Sequence, residues 1–308
     1  MQNKVSIIGA GNVGSALAFL LAQKELAKIV LIDIDKDMAI GKTLDIYQAC
    51  SALGIDCKIY GSNAYEDVSN SAVVVITAGF PRKAGMDRAE LLAKNASIIK
   101  DIVKNIVKYA PNSIILMVTN PLDVMTYYAF KLSGFDRTKV LGEAGMLDTS
   151  RFATFISQKL NFSIQNINSL IFGTHNDKMF TINRYINIGG FPISLFMKTK
   201  EIKKLIERTK KGGEEIIKLL KTSSASYAPA ASCFRMIEAI LKDKKYICCS
   251  SIYLDGEYGI KDVCIGLPVK LGKNGVEEII KLPLTAKEKK YLLDAASNCK
   301  ELIKQLPF

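Results

Sequence analysis

The sequence predicts an α/β chain in which a doubly wound parallel sheet is followed by an α+β half, and three observations underlie that expectation. Short β-branched runs alternate with longer helix-patterned stretches through the first half, as in a parallel sheet with crossover helices. A glycine-rich turn separates the first of these runs from the first helical stretch. From about Gly145 the alternation gives way to short strands, a long Lys/Glu-rich helical region and an antiparallel pair. The 308 residues are about twice a typical domain. Two units, 1–144 and 145–308, are therefore expected, sharing an extensive interface with a cleft between them.

The first strands are read at Lys4 to Ile8, Ile29 to Ile34, Asp56 to Tyr60, Ala72 to Thr77 and Ser113 to Thr119. Their nearly continuous apolar character suits strands buried on both faces. Between them the 3.6-residue pattern predicts helices from about Val13 to Gln23, Asp37 to Ala52, Arg88 to Tyr109 and Pro121 to Leu132. The second half opens with a helix from Thr149 to Leu160, followed by strand-like runs at Ile167 to Phe172 and Ile182 to Ile188. Lys245 to Val269 reads as antiparallel strands joined at Asp255-Gly256-Glu257, and Thr285 to Gln305 as a terminal amphipathic helix.

Composition excludes several functions. Hydrophobic residues at 49% and charged residues at 23% describe a packed globular chain rather than a disordered one. The 42 basic and 30 acidic residues leave a net charge of +12. Only seven of the basic residues are arginines, and the lysines scatter in pairs such as Lys203-Lys204 without interleaved aromatics, so solvated helix faces explain the charge better than a nucleic-acid surface. Seven cysteines without a CxxC pair indicate neither a disulfide framework nor a metal site and fit a reducing, cytoplasmic setting. The apolar stretch Val5 to Ala22 is interrupted by glycines and Asn12, lacks a clear cleavage site, and falls short of a membrane span.

Gly9-Ala10-Gly11-Asn12-Val13-Gly14 follows the first strand and opens the first helix, which makes GxGxxG a dinucleotide-binding fingerprint of the Rossmann type rather than a chance pattern. Gly9 permits the tight turn, Gly11 lets the backbone approach a pyrophosphate, and Gly14 allows close packing of helix on strand. The helix N-terminus supplies unpaired N–H groups and positive potential. Asp33, at the end of the second strand, can accept both ribose hydroxyls and repel a 2′-phosphate, which favours NAD over NADP.

The chain has a single histidine, His175, within Gly173-Thr174-His175-Asn176-Asp177. A lone histidine is usually structural, but Asp148 and Arg151 lie upstream, and a carboxylate beside an imidazole raises its pKa and selects its tautomer. Residues so far apart in sequence need not touch. A third cluster, Thr77 to Arg88, combines glycine hinges with Arg82 and Arg88; it reads as a lid bearing cations, or as a surface loop whose arginines pair with Asp87 or Glu90.

Together these stretches resemble the lactate/malate dehydrogenase family, and within it the malate-specific members whose sequences are closest to the lactate-specific ones. The resemblance spans nearly the whole chain, including Gly9 to Gly14, Asp33, Thr77-Ala78-Gly79, Pro81 to Arg88, Asn95, Val118-Thr119-Asn120-Pro121, Asp148 to Arg151, His175-Asn176-Asp177 and Tyr227 to Ser232. It implies an enzyme moving a hydride between malate and NAD to give oxaloacetate and NADH. In that role His175 exchanges the proton, Asp148 stabilises the imidazolium, and Arg88 polarises the substrate carbonyl. Arg151 holds the carboxylate beside the reacting carbon. Asn120 bonds substrate near the nicotinamide ribose, and Asn95 with Val118, Thr119 and Asn120 completes the cofactor site. Arg82 stands where lactate-specific members usually carry glutamine, so it is expected to pair with the second carboxylate of oxaloacetate. Relatives further suggest a homo-oligomer, tetramer or dimer.

Two departures accompany the resemblance. The family's usual Gly-Gly-His-Gly-Asp is here Gly173-Thr174-His175-Asn176-Asp177, and Ser223 stands where relatives often have glycine. If the residue after the histidine needs positive φ, asparagine is the least costly substitute. The runner-up is a lactate or other 2-hydroxyacid dehydrogenase, which Arg82 opposes. A cofactor-sensing protein without catalysis would have lost His175, Asp148 or Arg151. An NAD-dependent epimerase would use a Tyr-x-x-x-Lys pair, which Tyr127 and Lys131 supply by helix composition alone.

Overall fold

The computed structural model describes residues 3–80 and 88–308, the side chain of Arg88 excepted. In the first half, strands and helices alternate as β1 (Lys4–Ile8), α1 (Asn12–Gln23), β2 (Lys28–Ile32), α2 (Lys36–Ala52), β3 (Ile59–Ser62), β4 (Val73–Ile76), α3 (Arg88–Tyr109), β5 (Ile114–Met117), α4 (Leu122–Ser133) and β6 (Val140–Gly142). The six strands pair in parallel in the order β3-β2-β1-β4-β5-β6. Val5, Ile7, Val30, Leu31, Val74, Val75, Ile115 and Leu116 are all fully buried, as strands covered by helices on both faces require.

The strand order reverses at β1, which lies between β2 and β4 with Ile8 opposite both Ile32 and Ile76. Such a switch point opens a crevice at the carboxyl ends of the strands, where ligands of this fold bind. The turn is tied down there, with the Gly9 N–H donating to Ile32 O at 2.7 Å and the Thr77 and Ala78 N–H groups both donating to Ile8 O at 2.9 Å.

The second half runs through α5 (Ala144–Leu160), β7 (Ile167–Asn168), β8 (Ile171–Phe172), β9 (Phe180–Thr181), β10 (Asn187–Ile188), β11 (Phe191–Pro192), α6 (Thr199–Lys210), α7 (Gly212–Leu220), α8 (Tyr227–Leu241), β12 (Tyr246–Asp255), β13 (Lys261–Gly272), β14 (Gly275–Ile279) and α9 (Ala286–Ile303). The strands β12 to β14 pair antiparallel and continue the first sheet, because β12 joins β6 through Ser251 opposite Gly142 and Ile252 opposite Leu141. Among the described residues, one nine-stranded sheet therefore runs through both halves. A single core extends from Val5 on β1 to Val269 on β13, while a smaller cluster around Phe152, Ile156, Ile171 and Ile188 packs α5 onto the small strands.

The element bounds depart from expectation at Ile182 to Ile188, where a 3-10 turn over Asn183–Tyr185 leaves only the two residues of β10 in a strand, and at β6 and α5. β6 has only three residues, too few to show a period-2 pattern, and the sequence reading passes over it. The helix then begins at Ala144, before the expected Thr149, so that Asp148 and Arg151 lie within it rather than at its start. The helix-unfavourable Gly145 and the cap-like Asp148-Thr149-Ser150 explain the misplaced start. Among the described residues, no helix is long and apolar enough to cross a membrane.

The terminal helix α9 is capped as its sequence suggests. Thr285 accepts the Glu288 N–H, and Glu288 accepts the Thr285 N–H at 2.8 Å while pairing with Arg184 at 2.5 Å. Thr285→Ala should lower global stability by ~1 kcal/mol, read as a lower urea midpoint with unchanged slope. A midpoint equal to that of the unaltered chain would show that the cap adds nothing.

Candidate functional site

The first part of the site is the turn between β1 and α1. Gly9 has φ +111°, a conformation that L side chains rarely adopt. A Cβ on Gly14 would stand 2.0 Å from Gly9 O, so only glycine lets α1 close on the turn. Gly11 behaves differently: a Cβ there would meet nothing within 4 Å among the described residues. Packing does not demand that glycine, which leaves the space above the turn open to a ligand backbone.

Gly11 caps α1 without a side-chain hydrogen bond, and no acidic residue occupies the first turn, so the N-terminal N–H groups and their partial positive charge face outward uncompensated. Asp33 lies just past β2. Its Oδ2 accepts the Ala10 N–H at 2.7 Å and its Oδ1 the Asp35 N–H at 3.1 Å. Each carboxylate oxygen keeps a lone pair for a ribose hydroxyl. A cavity of about 400 Å³ runs from Gly9, Gly11 and Asp33 past Thr77, Ala78 and Gly79 to Ile98 and Ile102. The open helix end, the uncrowded Gly11, the acid and the apolar slot fit a dinucleotide.

The expected cofactor residues beyond this turn form its frame. Asn95 is buried, with Oδ1 accepting the Phe80 N–H at 2.8 Å and Nδ2 donating to Asn120 O at 2.7 Å. Thr119 donates its hydroxyl to Ala78 O at 2.7 Å, and Val118 N–H bonds Ile76 O at 3.0 Å. The segments after β4 and β5 are thus clamped together, and the exposed Asn120 stands at their edge.

The second part gathers on α5 and the segment after β8. Asp148 and Arg151, three residues apart on one helix, share a face. His175 follows β8 on a segment pinned by Gly173, whose N–H and C=O exchange hydrogen bonds with Gly266 of β13 at 3.0 and 2.7 Å. This brings the His175 Nδ1–H to within 2.7 Å of the nearly inaccessible Asp148 Oδ2, while Arg151 Nη1 meets Asp148 Oδ1 at 3.3 Å. Burial opposes charging the imidazole, but the Asp148 carboxylate outweighs it, against Arg151 and with help from Glu143, so the His175 pKa is pushed up to about 9. Arg151 Nε is buried and has no hydrogen-bond partner among the described residues, leaving guanidinium donors for an incoming anion.

The residues flanking the histidine do not use positive φ. Thr174 and Asn176 both have ordinary backbone angles, and Gly173 alone in this segment is left-handed, at φ +90°. Asn176 serves through its side chain instead, its Oδ1 accepting the Thr174 hydroxyl and the Lys178 N–H, each at 2.8 Å. Arg82 and the rest of 81–87, where a lid is expected, lie outside the described residues, as does the side chain of Arg88 at the start of α3. Tyr127 and Lys131 both bind Asp262, at 2.9 and 2.7 Å, and Lys131 lies over the Tyr253 ring, so that pair braces α4.

Two further residues escaped the sequence reading. Asp123, buried on α4, accepts the His175 N–H at 2.7 Å and the Ser251 hydroxyl at 2.6 Å. Burial, partly offset by those two bonds, pushes its carboxyl up to about 6. Glu143, which caps α5, is buried with Oε1 unpartnered among the described residues. Its burial, only partly countered by His175 and Arg151, pushes its pKa up to about 8. In the sequence Asp123 resembles any acid in a first helical turn, and nothing near Glu143 signals burial.

A dinucleotide cradle beside a partly exposed imidazole held by a buried carboxylate is the equipment of a nicotinamide-dependent dehydrogenase. The chain belongs to the lactate/malate dehydrogenase family: residues 3–142 match the family's NAD binding domain and residues 145–307 its alpha/beta C-terminal domain. It is 48% identical over 307 residues to a malate dehydrogenase of Bacillus mycoides, covering 99% of this chain and 98% of that one. Among solved structures it is similar to the malate dehydrogenase of Cryptosporidium parvum, with a TM-score of 0.96, 40% identity and 99% of each chain covered. A lactate dehydrogenase of the same organism, complexed with lactic acid and the cofactor, gives a TM-score of 0.95 at 37% identity, covering 99% of this chain and 98% of that one.

The buried acids make stability pH-dependent. Glu143 keeps its proton to about pH 8 in the folded chain, whereas an unfolded glutamate releases it near pH ~4.3. Its stabilising contribution is therefore complete below the unfolded value and lost as pH rises through the folded one. Glu143→Gln, a neutral isostere, should match the parent at pH ~4.5 and exceed its stability at pH ~9 by roughly 1–3 kcal/mol in urea unfolding. Equal stability at both values would mean that Glu143 is not held protonated.

Proposed function

We propose that the chain is an NAD-dependent malate dehydrogenase interconverting malate and oxaloacetate, and that the residues assembled above are its catalytic site. The observation that carries this reading is the His175–Asp148 contact at 2.7 Å beside Arg151. The Gly9 to Gly14 turn would hold NAD by its pyrophosphate, and the cofactor so held would supply or accept the hydride. In malate oxidation His175 accepts the hydroxyl proton while Asp148 stabilises the imidazolium; in oxaloacetate reduction the same nitrogen returns the proton to the forming alkoxide. The raised pKa of His175 suits the reductive direction, since the proton is already in place at neutral pH.

Arg151 holds the carboxylate next to the reacting carbon with its remaining donors, Arg88 polarises the carbonyl, and Asn120 bonds the substrate near the ribose. Asp33 selects NAD by excluding a 2′-phosphate, and Asn95, Val118 and Thr119 keep the cradle in shape. Arg82 decides between substrates: oxaloacetate offers a second carboxylate to this guanidinium, whereas pyruvate would leave it desolvated and unpaired, a penalty of roughly 3–5 kcal/mol. The names of the Bacillus and Cryptosporidium relatives support the same choice.

The two matched family regions support a division near 144/145 into cofactor and substrate domains. A homo-oligomer, dimer or tetramer, is supported by the exposed Ile40, Leu44 and Tyr47 on one face of α2. Seven free, buried cysteines support a cytoplasmic setting.

The test is NADH oxidation with oxaloacetate beside pyruvate. Oxaloacetate should be preferred by about two decades or more; a preference for pyruvate would replace this reading with a lactate dehydrogenase. His175→Asn should reduce turnover by several decades (roughly 10³-fold) while NADH binding persists, because the imidazole acts on the reacting oxygen. A variant keeping a tenth of the parent turnover would remove the acid–base role. Arg82→Gln should depress oxaloacetate reduction steeply and raise that of pyruvate. Equal slowing of both would assign Arg82 to general catalysis instead.

A further inference from the structure

Asp123 has no part in the reaction as derived above, yet both of its carboxylate oxygens are committed. Oδ2 accepts the His175 main-chain N–H at 2.7 Å and Oδ1 the Ser251 hydroxyl at 2.6 Å, and the residue is 6% exposed. Each of its anchors is rigid: α4 starts immediately after Asn120-Pro121, and Ser251 lies on β12, where it pairs with Gly142 of β6.

The histidine segment is held at Gly173 by β13 and closed on itself by the Thr174–Asn176 and Asn176–Lys178 bonds. Those contacts shape the segment without settling how far the imidazole reaches. Among the described residues, the bond to Asp123 is the one side-chain hydrogen bond between α4 and this segment, and it grips the main chain of the histidine itself.

We propose that Asp123 is a positioning residue for the acid–base histidine: by accepting the His175 main-chain N–H it sets where the imidazole stands between Asp148 and the substrate. The proposal rests on the function inferred above. Carboxylate reach, rather than charge alone, is the active property. Asparagine could keep both contacts, its carbonyl oxygen accepting the His175 N–H and its amide donating to Ser251, whose hydroxyl can equally accept. Alanine keeps neither. The charged or titratable groups facing Asp123 are His175, Asp148 on α5, Cys264 on β13 and Cys299 on α9; those facing His175 include Arg151 and Glu143 as well.

The experiment compares Asp123→Ala with Asp123→Asn in the full, tag-free chain. Alanine should lower kcat for oxaloacetate reduction by ~30–100-fold with KM for NADH little changed, since a displaced catalytic group costs turnover rather than cofactor binding. Asparagine should retain at least about a third of the parent kcat. A second readout needs no turnover: His175 is the chain's single histidine, so its imidazole gives one NMR titration. Asparagine should lower that midpoint by removing a neighbouring charge, and alanine should lower it further by loosening the contact with Asp148.

Equal kcat losses, equal midpoints, or alanine losing NADH affinity in step with kcat would overturn the proposal. Should Asp123→Ala fail to fold, Ser251→Ala frees one end of the carboxylate and should cost ~3–10-fold in kcat alone; no loss would be equally decisive against it. A parent chain inactive on every 2-oxo acid would sink the functional reading, while the two titration midpoints would still decide whether Asp123 positions the imidazole.

Discussion

A protonated imidazole has to be kept inside the protein, and the rest of the site is arranged around that demand. Burial by itself would strip the proton from His175 well below neutrality, so an acid must stand against it. Asp148 meets the requirement at 2.7 Å but cannot act alone, because Arg151 on the same helix face draws on its other oxygen at 3.3 Å. Taking either partner from such a buried pair leaves an uncompensated charge, at a cost of roughly 3–5 kcal/mol. An ionised Glu143 would also favour the imidazolium, but burial pushes its own pKa up to about 8 and keeps that help small at neutral pH. The result is an imidazole whose charged form is favoured, beside an arginine whose Nε has no hydrogen-bond partner among the described residues.

That local arrangement depends on how the two halves are joined. Because β12 pairs with β6, the sheet does not end at the cofactor half, and the helix leaving β6 is directed under the histidine segment. Gly266 of β13 grips Gly173, Ser251 of β12 holds Asp123, and Asp123 holds His175. The crevice at the β1–β4 switch point and the acid–base pair are thereby set on one continuous framework, and the cofactor frame of Asn95, Thr119 and Asn120 leads directly into α4. Hydride and proton must reach the same substrate, and a shared sheet is a direct way to keep their sources in register.

Much of this was legible in the residues because some constraints are local. A turn that must be tight, approached by a helix and open to a phosphate can hardly be written without Gly9, Gly11 and Gly14, and an acid after the next strand completes it within one strand–helix–strand unit. The parallel strands announced themselves by continuous β-branched runs. β6 did not, at three residues, and with it went the true start of α5. Asn176 was legible as a departure, but the condition of a positive φ does not hold there, and it works through Oδ1 instead.

The sequence by itself therefore determined the glycine turn followed by Asp33, the alternation of the first half and the candidacy of His175, Asp148 and Arg151, since each follows from neighbouring residues or from recognisable segments. Only the tertiary structure decided that Asp148 and His175 meet, that one sheet spans both halves, and that Asp123 and Glu143 belong to the site. Those facts depend on strand register and on burial, which residues distant in sequence impose on one another once the chain has packed; no short stretch of sequence contains them.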